Sequence, residues 1–137
     1  MNEKFRAFID DIFKTLLEWH PTLGTYLGLH EYDPYMDDYS KDQVLKEINY
    51  MEKWHSRLIE FNTNELNKMN RIDWELLRRE LEIQLFMSRD LRLWERVNNL
   101  GDIIMGGIYL LFVKDFAPFE QRLNSITSRL SYTEKIA

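Results

Sequence analysis

The apolar residues of this chain recur at intervals of three and four positions in one segment after another, and this spacing constrains its fold most strongly. The first segment maintains the interval across seven residues: Phe5, Phe8, Ile9, Ile12, Phe13, Leu16 and Leu17. Residues spaced in this way lie on one face of an α-helix, which has about 3.6 residues per turn. No alternation of apolar and polar residues persists long enough to indicate a sheet. The sequence therefore predicts an all-α fold.

The helix boundaries follow from this periodicity and from the residues that start and stop helices. Longer helices are expected near residues 3–18, 41–60, 72–97 and 118–130, with shorter ones between them, which gives a helical bundle of about five to six helices. Pro21 ends the first helix and suits the first turn of a short one that Gly28 ends. Ser40 and Gln43 have the spacing of a capping box. The length of 137 residues predicts a single helical domain, 1–137. The chain stops at Ala137 without a cap, so we expect a fragment of a larger all-α protein.

The helix expected over 72–97 carries two apolar stripes, and we expect a cap near Asn70 or Asp73. The first stripe contains Trp74, Leu77, Leu81 and Leu85, and the second contains Leu76, Ile83, Met87 and Trp94. At 100° per residue the stripes lie on different sides of the helix, and charged residues fill much of the arc between them. A helix that is apolar on two sides packs on two sides. It is predicted to lie at the centre of the domain, or between this domain and something else.

The last helix is expected to bury a stripe of Phe119, Leu123, Ile126 and Leu130. The segment before it, 103–113, is the longest apolar run, and its eleven residues are fewer than the ~20 that span a bilayer. Gly106 and Gly107 weaken that helix by about 1 kcal/mol each relative to alanine, and close approach of a neighbour is the expected compensation.

Composition and charge exclude several classes of function. The net charge of −5 argues against a nucleic-acid surface, which needs a basic stripe. The absence of cysteine excludes disulfides and cysteine-ligated zinc and fits an intracellular protein. No signal peptide is visible. We therefore expect a cytoplasmic protein without nucleic-acid or membrane partners.

The motifs of catalysis are missing from the sequence. His30-Glu31 is followed by Asp33-Pro34, whereas a zincin needs His-Glu-x-x-His. His20, His30 and His55 share no ligand spacing, and the acids near residue 33 lack the pattern of a calcium loop. No phosphate-binding loop or nucleophile elbow occurs. The arginines between residues 71 and 96 alternate with acids, as on a solvated, salt-bridged face. We predict no catalytic residue, metal ligand or cofactor for this chain.

Residues 20–40 carry a more specific pattern: Pro21-x-x-x-Thr25-x-x-Gly28, then Tyr32-Asp33, then Asp38-x-Ser40. This pattern resembles the N-terminus of the prokaryotic family named domain of unknown function 885. Two helical blocks, 71–83 and 106–130, extend the resemblance over nearly the whole chain. The family resembles helical zinc metallopeptidases, in which the zinc motif lies far towards the C-terminus. The resemblance therefore implies that the full-length protein binds zinc and that the zinc-ligating residues lie outside this chain.

Two functions remain open. In the first, the chain is the N-terminal helical scaffold of a zinc-metallopeptidase-like protein and forms a wall of its substrate channel, with the remainder of its own polypeptide as partner. His30, Tyr32 and Asp38 are then the candidates that face the channel. In the second, it is a stand-alone interaction or oligomerisation module that packs on a second copy.

Residues 20–40 are expected to be ordered in either case. A structural alternative has Thr25, Tyr32 and Asp33 hydrogen-bonding helix ends. Leu23, Tyr26 and Leu27 are the expected apolar anchors of the segment.

Overall fold

The computed structural model describes residues 1–97 and 99–133, and these form six α-helices without any strand. The helices are α1 (Asn2–Trp19), α2 (Pro21–Tyr26), α3 (Lys41–Ile59), α4 (Lys68–Leu85), α5 (Leu100–Val113) and α6 (Phe119–Ser131). Short 3₁₀ turns lie at His30–Tyr32, Thr63–Glu65 and Leu93–Glu95, and a π turn follows α4 at Phe86–Asp90. The predicted all-α bundle is confirmed. No helix among the described residues is both long and apolar enough to cross a membrane.

The chain divides into two compact units. The first unit contains Met1–Phe13 and Lys41–Asn98, and the second contains Lys14–Ser40 and Asn99–Ala137. Helix α1 therefore contributes its first part to one unit and its last part to the other.

In the first unit, the start of α1 and the pair formed by α3 and α4 enclose an aromatic and aliphatic core. The ring of Phe61 lies 5.3 Å from Phe5 and 5.5 Å from Phe8, and both rings on α1 are buried. The indole nitrogen of Trp74 on α4 donates to the carbonyl of Leu58 on α3 over 2.8 Å. The same carbonyl also accepts from the backbone N–H of Phe61 over 3.2 Å, so the indole bond connects α4 to the carboxyl end of α3.

Helix α4 differs from its predicted boundaries at both ends. It begins at Lys68 because Asn67 caps it, with the side-chain oxygen accepting from the backbone N–H of Asn70 over 2.9 Å. Asn70 is buried and donates its side-chain amide to Asn2, so it is not the cap. The α-helical hydrogen bonding ends at Leu85, and Arg92 has a φ of 51°, a left-handed conformation that a helix cannot continue through. The predicted helix 72–97 is confirmed up to Leu85, whereas its predicted start, its end and its cap at Asn70 or Asp73 were wrong.

Only one of the two apolar stripes predicted for this helix is buried by other residues that the structure describes. Leu81 and Leu85 are buried against the rest of the first unit. Leu76, Ile83 and Met87, on the second stripe, are exposed. The alternative that places this helix at the centre of the domain was therefore wrong, and packing of its second side on something else stays a prediction.

In the second unit, α5 packs against α6 and α2 packs against α5. Gly107 permits the close approach expected there, since a Cβ at this position would lie 2.8 Å from the sulfur of Met36. Gly106 has open space around it.

Helix α6 turns an unexpected face inwards. Its buried residues are Arg122, Ile126 and Arg129. The remaining members of the predicted stripe are exposed: Phe119, Leu123 and Leu130. The predicted core face was wrong except at Ile126, because hydrogen bonds of the two arginines, described below, take precedence over burial of the apolar side chains.

Candidate functional site

The segment 20–40 is held in the second unit by polar side chains. Gly24 lies directly under the ring of Tyr32, where a Cβ would be 2.6 Å from the ring carbon Cδ2. Gly28 has a φ of +82° and follows the end of α2, as the sequence predicted. Tyr26 and Leu27 are exposed, so the prediction that they anchor the segment was wrong.

Asp33 is the first of two buried carboxylates that organise this segment. One oxygen accepts from the Thr25 hydroxyl over 2.7 Å, and the other lies 2.9 Å from Nδ1 of His30. Thr25 and Asp33 are buried, whereas His30 is largely exposed. The side chains of Thr25 and Asp33 thus hydrogen-bond to each other, and to Arg129 and His30 respectively. The sequence-based proposal that they hydrogen-bond to helix ends was wrong. The buried pair fixes one nitrogen of an exposed imidazole.

Asp37 is the second buried carboxylate, and it fastens the start of α2. Its oxygens accept from the backbone N–H of Thr22 over 3.0 Å, the Thr22 hydroxyl over 2.9 Å and the Tyr39 hydroxyl over 3.2 Å, and Nδ1 of His20 lies 3.2 Å away. Burial raises the pKa of Asp37, but the hydrogen bonds to His20 and Thr22 outweigh it and hold the pKa below its ordinary value of 3.8. Asp37 is therefore ionised at neutral pH.

Arg129 on α6 donates hydrogen bonds to the segment 20–40 and to α5. Its side chain is fully buried and donates to the carbonyl of Tyr35 over 2.8 Å, to the Thr25 hydroxyl over 2.5 Å, and to the carbonyl of Gly107. Burial lowers the pKa of Arg129, and the negative charges of Asp33 and Asp37 oppose that effect. The guanidinium thus connects α2, α5 and α6 through one set of charge-assisted hydrogen bonds.

Arg122, which is buried on the same face of α6 as Arg129, closes the carboxyl end of α5. It donates to the carbonyls of Leu111, Phe112 and Ala117 over 2.9–3.2 Å and to the carboxylate of Asp115 over 3.0 Å. These carbonyls lie where α5 and the following loop lack intrahelical donors, and a cation there also complements the helix dipole. Arg122 is therefore a structural cap, and each of its three guanidinium nitrogens donates at least one hydrogen bond.

A cleft of about 300 Å³ opens beside Asp33 and His30. Its lining residues are His30, Asp33, Pro34, Phe116, Gln121, Arg122, Asn124 and Ser125. The imidazole of His30 stacks on the ring of Phe116, with centroids 3.7 Å apart and planes 10° from parallel. Because Asp33 engages Nδ1, the other ring nitrogen of His30 is the one left to meet a ligand.

The structure places the three predicted channel residues in different surroundings. His30 lines the cleft. Tyr32 packs its ring on Gly24, and its backbone carbonyl lies 3.4 Å from the Arg129 guanidinium. Asp38 is exposed and accepts from the backbone N–H of Ser40, directly before α3. The geometry therefore brings only His30 to the cleft, and the part played by all three residues in a channel stays a prediction.

Each histidine has a different acidic partner. His20 pairs with Asp37 and His30 with Asp33, and Nε2 of His55 lies 3.4 Å from Glu82. Across residues 1–97 and 99–133, no three histidine or carboxylate side chains converge as metal ligands would. No zinc site can be assigned within these residues, and zinc remains a proposal about a longer polypeptide.

Comparison with known proteins identifies the family. The family model described as bacterial protein of unknown function (DUF885) matches residues 21–137, and the chain belongs to that family. No curated protein matches it. A solved structure from Shewanella oneidensis, described as a putative lipoprotein of unknown function, is similar with a TM-score of 0.74 and 24% sequence identity. The similarity covers 96% of this chain and 23% of the Shewanella chain, so it shows a shared fold over less than a quarter of that protein's length.

Proposed function

We propose that this member of the DUF885 family is the N-terminal helical scaffold of a longer zinc-metallopeptidase-like polypeptide and forms one wall of its substrate channel. The chain is not catalytic by itself in this proposal. The observation that carries the proposal is the cleft in the second unit, where a buried Asp33 holds an exposed His30 in one orientation.

The chemistry of the cleft suits a peptide-like substrate. Gln121 and Asn124 offer amide groups, and Ser125 offers a hydroxyl, so the wall presents both donors and acceptors without a strong net charge. An extended peptide exposes N–H and C=O groups that need such partners when they leave water. Phe116 and His30 add a flat surface on which an apolar or aromatic side chain can lie.

The scaffold role is supported by how the buried charges are used. Arg129 and Arg122 hold helices and the segment 20–40 together, and their donors point at backbone carbonyls and buried side chains. A catalytic group must contact the substrate, whereas these two guanidinium groups fix the positions of helices and of the segment 20–40. The zinc, its ligands and the general base would be contributed by the remainder of the polypeptide, which supplies the hydrolytic chemistry.

The test is a set of substitutions in the longer polypeptide at the proposed channel residues. His30→Gln, Tyr32→Ala and Asp38→Ala are each measured for thermal stability and for turnover of a peptide per folded molecule. We expect His30→Gln to lower turnover per folded molecule, because the side chain lines the cleft. Unchanged turnover per folded molecule in all three variants would refute the channel wall.

The second candidate function is a stand-alone helical interaction module. It is favoured by the exposed apolar residues of α4, among them Leu76 and Ile83. The gene separates the candidates directly. Coding sequence that continues past Ala137 and contains His-Glu-x-x-His supports the scaffold, and a stop codon at that point supports the module.

The cellular location is also a proposal. We propose a cytoplasmic protein, on the basis of a sequence that contains no cysteine. The lipoprotein description concerns the Shewanella protein, of which this chain covers 23%. Fractionation of the native cells tests the location, and recovery of the protein in the membrane fraction would refute it.

A further inference from the structure

The exposed side of α4, together with Phe86 directly after it, carries a heptad seam. Seam residues recur at intervals of three and four, as the inward-facing a and d positions of a coiled coil do. They are Met69, Ile72, Leu76, Arg79, Ile83 and Phe86. The five apolar members are between 46% and 64% exposed. At 100° per residue this seam lies opposite Leu81 and Leu85, through which α4 packs into the first unit.

The seam has room to receive the side chains of another helix. A groove of about 460 Å³ is lined by three members of the seam, Ile72, Leu76 and Arg79, together with Thr63, Arg71, Trp74 and Glu75. In a coiled coil, each apolar side chain of one helix inserts between four residues of the other. A row of five exposed apolar side chains next to such a groove is typical of a surface that another helix covers.

The two flanks of the seam differ in charge. On one flank, Glu75 and Glu82 are neutralised by Arg78, which lies 2.9 Å and 2.7 Å from their carboxylates, and Arg79 also pairs with Glu75. On the other flank stand Asp73 and Glu80. Within the described residues neither has a cation at salt-bridge distance, and Glu80 accepts only from the neutral amide of Gln84. This flank is therefore negatively charged without compensation.

The charge arrangement disfavours a second copy of the same chain. In an antiparallel pair, the flank with Asp73 and Glu80 faces the same flank of the partner, which places acids against acids. In a parallel pair, it faces the opposite flank, which brings Asp73 towards Lys68 and Glu80 towards Glu75 of the other copy. Like charges disfavour the antiparallel pair, and the parallel pair leaves Glu80 without a basic partner because Glu75 is an acid already bound by Arg78 and Arg79.

We infer that the seam of α4 binds an amphipathic helix whose own seam is apolar and whose flank facing Asp73 and Glu80 carries lysine or arginine. A carboxylate or neutral polar group on that helix meets Arg79, the one charged member of the seam. The helix comes from the part of the longer polypeptide outside these 137 residues, so this inference rests on the proposed function. The similar Shewanella chain, of which this chain covers 23%, is long enough to supply such a helix.

Two designed peptides test the charge preference. Both have three heptads with leucine at the a and d positions; one carries lysine on both flanks and the other carries glutamate. Fluorescence anisotropy measures their binding to the 137-residue chain, whose fold is checked by circular dichroism. We expect the lysine peptide to bind at least about tenfold more tightly, the equivalent of about 1.4 kcal/mol.

A double charge reversal and a matched control make the test specific. D73K/E80K should reverse the preference, whereas E31K/E120K, which makes the same change in net charge at exposed sites of the second unit, should leave it unchanged. Equal binding of the two peptides, or an equal response to the two double variants, would overturn the inference. All four positions are at the surface or partly exposed, so the variants retain the fold.

A third arm tests the source of the helix. If the longer polypeptide covers its own seam, it should bind the lysine peptide at least about tenfold more weakly than the 137-residue chain does. Equal affinity would overturn the assignment to the same polypeptide. A stop codon after Ala137 would instead refute the proposed function and this source together, while the charge preference of the seam would still be decided by the peptides.

Discussion

Replacing Arg129 by methionine tests whether buried charge organises the second unit. Methionine has a similar length and fits an apolar site, but it removes every donor of the guanidinium. The carbonyls of Tyr35 and Gly107 and the Thr25 hydroxyl then lose their charged partner. Asp33 and Asp37 also lose the nearby positive charge. The substitution therefore leaves buried polar groups unsatisfied rather than only deleting contacts.

The expected magnitude follows from these losses. Hydrogen bonds to charged groups contribute about 1.5–3 kcal/mol each, and removal of one member of a buried ionic set costs about 3–5 kcal/mol. The contributions overlap, so we expect Arg129→Met to destabilise the second unit by about 3–5 kcal/mol. This is a large share of the ~5–15 kcal/mol that stabilises a typical domain. Arg129→Lys keeps the charge but loses the planar fork, and it should recover only part of the loss.

Hydrogen exchange with mass spectrometry is the suitable assay because it reports each unit separately. Amides of the segment 20–40 should exchange roughly 150-fold to 4,000-fold faster in Arg129→Met, since each 1.4 kcal/mol is a factor of ten. Arg6→Met, an exposed arginine of the first unit, is the matched control and should change little. Adding Asp33→Asn should reduce the effect of Arg129→Met. A change below about 1 kcal/mol in the segment would refute the reasoning.

Three further predictions concern the core, Gly24 and pH. Leu81→Ala should lower the free energy of unfolding by about 2–5 kcal/mol, whereas Met87→Ala should be nearly neutral in the 137-residue chain, as urea titration can show. Gly24→Ala should cost about 1–3 kcal/mol, since the new methyl group displaces the ring of Tyr32, and an unaltered melting temperature would contradict this. Because the pKa of Asp37 is depressed in the folded state, its contribution to stability is present above its ordinary value of 3.8 and is lost as pH falls further. The stability difference between the wild type and Asp37→Asn should therefore shrink as pH is lowered from about 5 to about 2, and a constant difference would contradict the assignment.

Local rules were enough to predict most of the helices. The apolar periodicity and Pro21 indicated α1 and its end near Trp19, and Gly28 indicated the end of α2. These elements depend on interactions between residues a few positions apart, which the sequence shows directly. The end of α4 was harder to predict from the sequence, because the left-handed conformation of Arg92 is not marked by a glycine or a proline.

The polar interior of the second unit could not be predicted in the same way. Arg122 and Arg129 are seven residues apart and share a face with Ile126, and this spacing was the only signal available. A prediction that places the apolar residues of a helix on its buried face leaves the arginines on the exposed face, because arginine is rarely buried without partners. Their partners are carbonyls and carboxylates, together with hydroxyls up to 104 positions away in the sequence, such as Thr25 for Arg129. Such long-range pairing is set by the tertiary structure.

The candidate site was predictable in part for the same reason. The pattern of residues 20–40 drew attention to His30, which lines the cleft, but the other walls come from α6 and from Phe116. Sequence spacing does not show that residue 30 stacks on residue 116. Tyr32 and Asp38 are close to His30 in sequence, yet local turns direct one to Gly24 and the other to Ser40.

Zinc content and peptide hydrolysis, measured side by side on the 137-residue chain and on the longer polypeptide, test the scaffold role most directly. Catalytic zinc needs about three protein ligands and an open position for water. We predict well under one tightly held zinc per 137-residue chain and no hydrolysis, against about one zinc and measurable hydrolysis for the longer polypeptide. Stoichiometric zinc held by His20, His30 or His55, or a longer polypeptide that neither binds zinc nor cleaves peptides, would contradict that role.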